Sequence, residues 1–296
     1  MNHHPADAVL DAIDRLAAPA CVGIDPVLDR LPEVLRPGAS SAASAARAIG
    51  AFSVELLDAV AGRVPCVKFQ SACFERYGHA GIAALEGCIR AARQRELKVI
   101  LDAKRGDIGI SAEQYAAAVF GDDPEADAAV RPDWVTINAY LGADGIRPFL
   151  KPGRGAFALV RTSNPGGDAV QAQRLADGRT VAESVAELVA SIGEALVGER
   201  GYSSLGAVVA ATRAEDAGRL RRIMPNQLFL VPGFGAQGGG VDDVLPCFDA
   251  DGRGAIVTAS RTVIYAFQEQ AGDWTQAVAD AADRFADELG RAAGLR

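Results

Sequence analysis

Four charged side chains near the ends of two apolar runs are the first sign of chemistry in this sequence. The segment VILDAKRGDIG (99–109) runs from an apolar stretch into Asp102 and Lys104, and Asp107 follows in the next loop. Because side chains alternate along a strand, Asp102 and Lys104 are predicted to share one face. Lys68 ends the preceding apolar run and extends the row to Lys, Asp, Lys and Asp. A lysine flanked by carboxylates would remain an ammonium that can donate a proton.

Other interpretations of this charged row stay open. It would serve as a salt-bridge network in a barrel that only binds a phosphosugar, or Lys104 would be the nucleophile of a Schiff-base aldolase. Burying a charge costs several kcal/mol unless the charge is well paired. Four charges at one strand end therefore favour catalysis over stabilisation alone, and we expect all four to be buried together.

A glycine-rich segment, VPGFGAQGGG (231–240), has the features of an anion site. Its glycines let backbone N–H groups approach an anion closely. The next apolar run ends in Ser260 and Arg261, and the Arg261 guanidinium can clamp a phosphate with two hydrogen bonds. The segment is neither a P-loop nor a dinucleotide-binding fingerprint, because the residues and positions those motifs need are absent.

A third polar segment, VRTSNPGG (160–167), follows the fifth apolar run. Thr162, Ser163 and Asn164 offer neutral donors and acceptors suited to the amide edge of a heterocycle. The alternative is a simple turn, since Asn-Pro-Gly is a common turn sequence.

Short apolar runs alternate with helical segments along the chain. The eight predicted strands are 20–25, 65–69, 98–103, 133–138, 156–161, 205–210, 227–231 and 255–260. The predicted helices include 42–61, 81–95, 181–197 and 212–223, with 6–16 before the first strand and 274–293 at the end. Nearly continuous apolar runs are typical of parallel strands covered on both faces.

This alternation predicts an α/β fold, a closed (β/α)8 TIM barrel that forms one domain over residues 1–296. Its N-terminal helix precedes the first strand. Segments 121–131 and 239–254 are predicted surface loops, because the first is acidic and the second is rich in Gly and Asp. In such barrels the active site lies at the C-terminal ends of the strands, where the polar residues above are predicted to meet.

The composition narrows the class of protein further. The 296 residues carry a formal net charge of −8, which argues against a nucleic-acid partner. No apolar run is long enough to span a membrane and no secretory signal is visible, so we expect a cytoplasmic protein. The five cysteines show no metal-ligand spacing. We therefore expect neither a membrane partner nor a bound metal.

With these motifs in order, the sequence resembles the orotidine 5′-phosphate decarboxylase family, in particular its bacterial subfamily with TSNPG after the fifth strand. The segments that carry the resemblance are CVGIDP (21–26), VKFQSACFERYG (67–78), LDAKRGDIG (101–109), TINAYLG (136–142), RTSNPGG (161–167), VPGFGAQGG (231–239) and ASRTVIYA (259–266). The resemblance implies conversion of orotidine 5′-phosphate to UMP and CO2, the last step of de novo pyrimidine nucleotide synthesis. It also implies a homodimer that uses no cofactor.

The resemblance also implies roles for the charged row. Lys104 would protonate C6 of the pyrimidine, Asp102 would lie beside the departing carboxylate, and Lys68 would bind the ribose and the carboxylate network. Asp107, with its neighbour Ile108, would reach across the dimer interface into the partner's site. A sister activity that decarboxylates a keto-sugar phosphate with Mg²⁺ shares the Asp-x-Lys-x-x-Asp pattern and remains an alternative.

The same resemblance assigns the substrate contacts. Asp25 would bind a ribose hydroxyl, Ser163 would hydrogen-bond the base, and Ser111 would take the place where many members have Thr. The phosphate would be held by residues that follow the seventh and eighth strands: Gly235, Gln237 and Arg261.

Overall fold

Eight parallel strands close into a barrel in the computed structural model, which describes residues 3–36, 38–121, 128–210, 214–235, 238–269 and 272–296. Each strand pairs with the next one in sequence, and the eighth pairs with the first. The strands are Ala20–Ile24 (β1), Cys66–Gln70 (β2), Lys98–Arg105 (β3), Trp134–Ile137 (β4), Gly155–Arg161 (β5), Ser203–Val209 (β6), Gln227–Val231 (β7) and Ala255–Ala259 (β8). The predicted (β/α)8 barrel is confirmed, and every predicted strand is present.

Helices connect the strands and surround the barrel. They are Pro5–Leu16 (α1), Ala42–Val60 (α2), Ser71–Glu75 (α3), Gly78–Gln94 (α4), Gly109–Phe120 (α5), Ala143–Ile146 (α6), Asp168–Gln171 (α7), Val181–Gly193 (α8), Ala214–Ile223 (α9), Val241–Val244 (α10), Arg261–Ile264 (α11) and Trp274–Ala292 (α12). The predicted helix 181–197 ends earlier, at Gly193, and continues as a single 3-10 turn. Within the described residues, no helix combines the length and the apolar character needed to cross a bilayer.

Alternate residues of each strand face either the barrel interior or the surrounding helices. In β3, Ile100 belongs to the inner apolar cluster, whereas Leu101 packs in the outer cluster with the helices. Trp134 of β4 and Phe157 of β5 stack in the inner cluster, with ring centroids 4.4 Å apart. Only glycine fits at position 155, because a Cβ there would lie 2.3 Å from the Trp134 ring. Large side chains therefore fill the bottom of the barrel, where the strands begin, and leave the end where the strands finish for a cavity.

The N-terminal helix α1 closes the bottom of the barrel. Val9, Leu10 and Ile13 are almost completely buried and pack against the inner apolar cluster. The Asp7 carboxylate accepts hydrogen bonds of 3.0 Å from the backbone N–H groups of Glu199 and of the next residue, in the loop before β6. This helix confirms the predicted N-terminal helix, and it confines open space to the opposite end of the barrel.

Two segments predicted as surface loops contain more structure than expected. The prediction for 239–254 is wrong in part, because α10 and a 3-10 turn over Leu245–Cys247 lie there. Their Val244 and Cys247 side chains are fully buried in the outer cluster, and this burial outweighs the glycine- and aspartate-rich composition. In the other segment, residues 122–127 lie outside the described residues, and Ala128–Val130 forms a 3-10 turn.

Candidate active site

A cavity of about 410 Å³ opens at the C-terminal end of the barrel, and all eight strands or the loops that follow them contribute to its wall. This volume lies in the range of sites that bind small molecules. Its apolar wall includes Leu159, Val208 and Leu230. Its charged lining residues are three cationic and two anionic side chains, Lys68, Lys104, Arg261, Asp25 and Asp102. The structure thus brings together five of the charged residues predicted from sequence.

Asp102 is the centre of the charge network in this cavity. Its Oδ2 lies 2.8 Å from the Lys68 Nζ, and its Oδ1 lies 2.6 Å from the Lys104 Nζ. Asp102 and Lys68 are both buried, with 6% and 7% of their surface exposed. Each oxygen of the carboxylate therefore has its own ammonium partner, so the buried negative charge is well compensated.

These charges shift the pKa of both buried groups. Burial alone would raise the pKa of the Asp102 carboxyl, but the charges of Lys68 and Lys104 and their hydrogen bonds lower it well below its usual range. For Lys68, burial would lower the pKa of the ammonium, but the negative charges of Asp102 and Asp25 raise it above its usual range. Both residues are therefore ionised at neutral pH.

Lys104 reaches the cavity from an irregular part of β3. Its φ of 47° lies in the left-handed region, which residues with a side chain rarely adopt. The pairing register of β3 with β4 shifts from Leu101 to Arg105, so β3 bulges at this point. The Lys104 side chain is 47% exposed. The ammonium is thus held by Asp102 on one side and is open to a ligand on the other.

Asp25 follows β1 at the rim of the cavity. Its Oδ1 lies 3.9 Å from the Lys68 Nζ and accepts no hydrogen bond from the described residues. The Tyr265 hydroxyl donates to the Asp25 backbone carbonyl over 3.1 Å and accepts the Val27 N–H over 2.8 Å, which holds this loop in place. Asp25 therefore offers a buried acceptor to a bound hydroxyl group.

The segment after β5 lines another wall with neutral polar groups. Thr162, Ser163 and Asn164 all border the cavity. The Thr162 hydroxyl donates to the Asn164 Oδ1 over 2.7 Å, and Gln171 of α7 bonds both the backbone N–H and the hydroxyl of Thr162. The segment is a braced turn, which satisfies the turn interpretation, and it still presents Ser163 to the cavity.

The predicted phosphate residues differ in their placement. Arg261, the first residue of α11, lines the cavity, as do Gly233 and Phe234 after β7. Gly235 lies outside the cavity wall, and its N–H donates to the Gly239 carbonyl over 2.8 Å. Gln237 lies outside the described residues.

Asp107 and Ser111 do not enter this cavity. The Asp107 Oδ1 accepts the N–H of Ile108 over 2.9 Å, and Ser111 is exposed on the first turn of α5. The expectation that all four charges of the row are buried together is therefore wrong: Lys104 is half exposed and Asp107 lies on the next loop, beyond the end of β3. Lys104 lies in the bulge of β3 and Asp107 lies in the loop that follows, so the two side chains lie in different places.

Sequence reasoning missed one polar residue inside the network. Thr136, in the middle of β4, is 1% exposed, and its hydroxyl donates to the Asp102 Oδ1 over 2.7 Å. Its hydroxyl also accepts the backbone N–H of Lys104 over 3.0 Å. The available signal was a single hydroxyl residue in an otherwise apolar strand, WVTI.

The fold and this cavity define a (β/α)8 barrel with a Lys–Asp–Lys network in its mouth. Residues 21–272 match the model of the orotidine 5′-phosphate decarboxylase / HUMPS family. An orotidine 5′-phosphate decarboxylase of Rhodopirellula baltica is 44% identical over 265 residues, which cover 88% of this chain and 87% of that protein. One of Caldicellulosiruptor saccharolyticus is 42% identical over 224 residues and 73% of each chain.

Solved structures support the same assignment. The OMP decarboxylase structure of Leishmania donovani superposes with a TM-score of 0.76 at 28% identity, covering 97% of this chain and 98% of that one. The chain belongs to the orotidine 5′-phosphate decarboxylase / HUMPS family.

Proposed function

We propose that this chain decarboxylates orotidine 5′-phosphate to UMP and CO2 with Lys104 as the proton donor. The family and the relatives that carry this name support the reaction, and its product places the enzyme in pyrimidine nucleotide synthesis. One observation carries the role of Lys104: a half-exposed ammonium, fixed 2.6 Å from a buried carboxylate, at the mouth of a nucleotide-sized cavity.

The chemical step needs a fixed positive charge and one proton. The bond between C6 and the carboxylate carbon breaks, CO2 leaves, and the bonding electron pair remains on C6. The Lys104 ammonium stabilises this carbanion electrostatically and transfers a proton to C6, which yields UMP. The neutral amine that remains regains a proton from water, to which the side chain is open.

Asp102 contributes by position and charge. Lys68 and Lys104 keep it ionised, so a fixed negative charge would lie beside the substrate carboxylate. Repulsion between the two carboxylates disfavours the bound substrate and is relieved when CO2 leaves. Because the same Asp102 also holds the Lys104 Nζ, the proton donor is in place when C6 becomes basic.

The remaining groups would orient the substrate. Arg261 would bind the phosphate dianion at one end of the cavity, Ser163 would hydrogen-bond the pyrimidine, and Asp25 with Lys68 would bind the ribose. Gly235 and Gln237 would contribute from the loop after β7. The Gly235 N–H is engaged by Gly239, so that loop would have to rearrange before the N–H could reach a phosphate.

We propose further that the enzyme is a cytoplasmic, one-domain homodimer without a cofactor, in which Asp107 completes the partner's site. Exposed apolar residues around Asp107 support this arrangement: Ile108, Ile110, Tyr140 and Leu141 are 55%, 77%, 80% and 46% exposed. An apolar surface of this kind marks an interaction site. Ser111, on the same first turn of α5, would then contact substrate in the partner's cavity.

The test of this function is the loss of orotidine 5′-phosphate absorbance with and without EDTA, in the parent and in Lys104→Ala. We expect EDTA-insensitive turnover in the parent, a loss of more than a hundredfold in the variant, and retained UMP binding. Lys98→Ala, at the opposite end of the same strand, is the matched control and should keep parental activity. Turnover of Lys104→Ala within tenfold of the parent would contradict the assignment of the donor.

A second arm separates decarboxylation from aldolase chemistry. Borohydride with a ketose phosphate should trap no adduct on Lys104, because the proposed reaction forms no imine. A covalent adduct at this residue would favour the aldolase instead, and turnover abolished by EDTA would favour the Mg²⁺-dependent decarboxylase.

A further inference from the structure

The irregular pairing between β3 and β4 lies directly beside the proposed proton donor. Leu101 pairs with Val135 and Arg105 pairs with Ile137. Three residues of β3, 102–104, therefore lie opposite the single residue Thr136 of β4. In this bulge the Lys104 N–H does not bond to a carbonyl of the neighbouring strand, and it needs another acceptor.

The Thr136 hydroxyl is this acceptor and links the two catalytic residues. It accepts the Lys104 backbone N–H over 3.0 Å and donates its own proton to the Asp102 Oδ1 over 2.7 Å. The same Oδ1 accepts the Lys104 Nζ over 2.6 Å. One buried hydroxyl thus closes a ring that contains the backbone of Lys104, the carboxylate of Asp102 and the ammonium of Lys104.

This ring of hydrogen bonds matters because the backbone of Lys104 has an unfavourable conformation. Its φ of 47° is unfavourable for a residue with a side chain, so neighbouring contacts must maintain it. The hydrogen bond from its N–H to Thr136 is one such contact. The other hydrogen bond of Thr136 fixes the rotation of the Asp102 carboxylate, leaving Oδ2 for Lys68 and Gln70.

We infer that Thr136 is a positioning residue, whose hydroxyl holds the Lys104 ammonium at the place where the carbanion forms. This inference rests on the proposed role of Lys104 and extends it to a residue that does not itself react. Serine would preserve both hydrogen bonds, whereas valine has nearly the same shape and makes neither. The geometry therefore assigns the function to the hydroxyl and not to the bulk of the side chain.

The test compares Thr136→Val with Thr136→Ser in steady-state decarboxylation of orotidine 5′-phosphate. We expect Thr136→Val to lower kcat about tenfold to a hundredfold, the loss that corresponds to one charged hydrogen bond and one partly buried N–H left without its acceptor. KM should stay within about threefold, because the phosphate and base contacts are untouched. Thr136→Ser should keep kcat within about fivefold of the parent.

Thermal unfolding of each variant separates positioning from folding. If Thr136→Val does not fold, Thr136→Ala takes its place as the variant without a hydroxyl, and Thr136→Ser should have a kcat at least twofold higher than Thr136→Ala. Equal kcat in the Val variant and the parent, or equal losses with Ser and with Val, would overturn the inference. A parent that does not decarboxylate orotidine 5′-phosphate would instead refute the proposed function.

Discussion

Replacing Asp102 with Asn would test the charge network through stability as well as through activity. The substitution keeps the shape of the side chain and removes one negative charge. In the new amide, the carbonyl oxygen can accept a hydrogen bond from only one of the two lysine ammonium groups. The NH2 group then faces the ammonium of the other lysine. Because Lys104 is half exposed and can turn toward water, we expect the oxygen to stay with Lys68.

The cost follows from the burial of Lys68. Its side chain is 8% exposed, and after the substitution its nearest carboxylate is Asp25, at 3.9 Å. Breaking a buried ion pair by removing one partner costs about 3–5 kcal/mol. Since Asp25 still offsets part of the charge, we expect the free energy of unfolding to fall by about 3 kcal/mol at pH 7, a decrease in Tm of about 5 °C.

The pH dependence of this loss has a definite sign. In the parent, the pKa of Lys68 is higher in the folded chain than in the unfolded chain, and this difference adds to the free energy of unfolding. The contribution is constant below about pH 10 and is lost as the pH rises through the folded pKa. In the variant, only Asp25 opposes the effect of burial on Lys68, so we expect the pKa of its ammonium in the folded chain to fall below the usual value. The unfolded chain then binds more protons than the folded chain. Stability of the variant should therefore rise from pH 7 toward pH 10, and its difference from the parent should narrow.

Chemical denaturation at pH 7, 8.5 and 10 measures both quantities. Asp29→Asn is the matched control, because Asp29 is exposed on a turn away from the cavity, and its stability should stay within about 0.5 kcal/mol of the parent. A stability of Asp102→Asn within 1 kcal/mol of the parent at pH 7, or a difference that widens with pH, would refute this reasoning.

Two further predictions concern substrate binding and assembly. Arg261→Ala should weaken the binding of UMP by at least about 2 kcal/mol, some thirtyfold, and leave uridine nearly unaffected; equal losses for both would place Arg261 away from the phosphate. Lys104→Ala and Asp107→Ala should each be nearly inactive alone, but refolding equal amounts together should restore up to roughly a quarter of the sites, because each mixed dimer has one site with both residues intact. Verified heterodimer with no activity above the sum of the separate variants would place Asp107 in the site of its own chain.

The parts of this molecule that follow from local pattern were predictable from the sequence. Each strand is a short apolar run, and barrel chemistry gathers at the C-terminal strand ends, which is enough to bring Lys68, Asp102 and Lys104 together. Arg261 and Ser163 line the same cavity for the same reason.

The features that depend on register and packing were not predictable. Alternation alone cannot reveal that β3 bulges beside Thr136, because the bulge is a property of two paired strands. Composition suggested a loop at 239–254, but α10 forms there because Val244 is buried against the core. The occupied N–H of Gly235 depends on the position of Gly239 across the turn, which no motif specifies.

The left-handed backbone conformation of Lys104 lowers stability at the residue that is proposed to donate the proton. A lysine in this conformation costs about 1–2 kcal/mol that a glycine would avoid. In a duplicated copy of this chain freed from selection for turnover, a change to glycine at position 104 would relieve that strain, while Asp102 would keep Lys68 and Thr136 as partners. The backbone strain at position 104 and the proposed proton donor thus depend on the same side chain, and such a copy would retain a ligand cavity without the proposed proton donor.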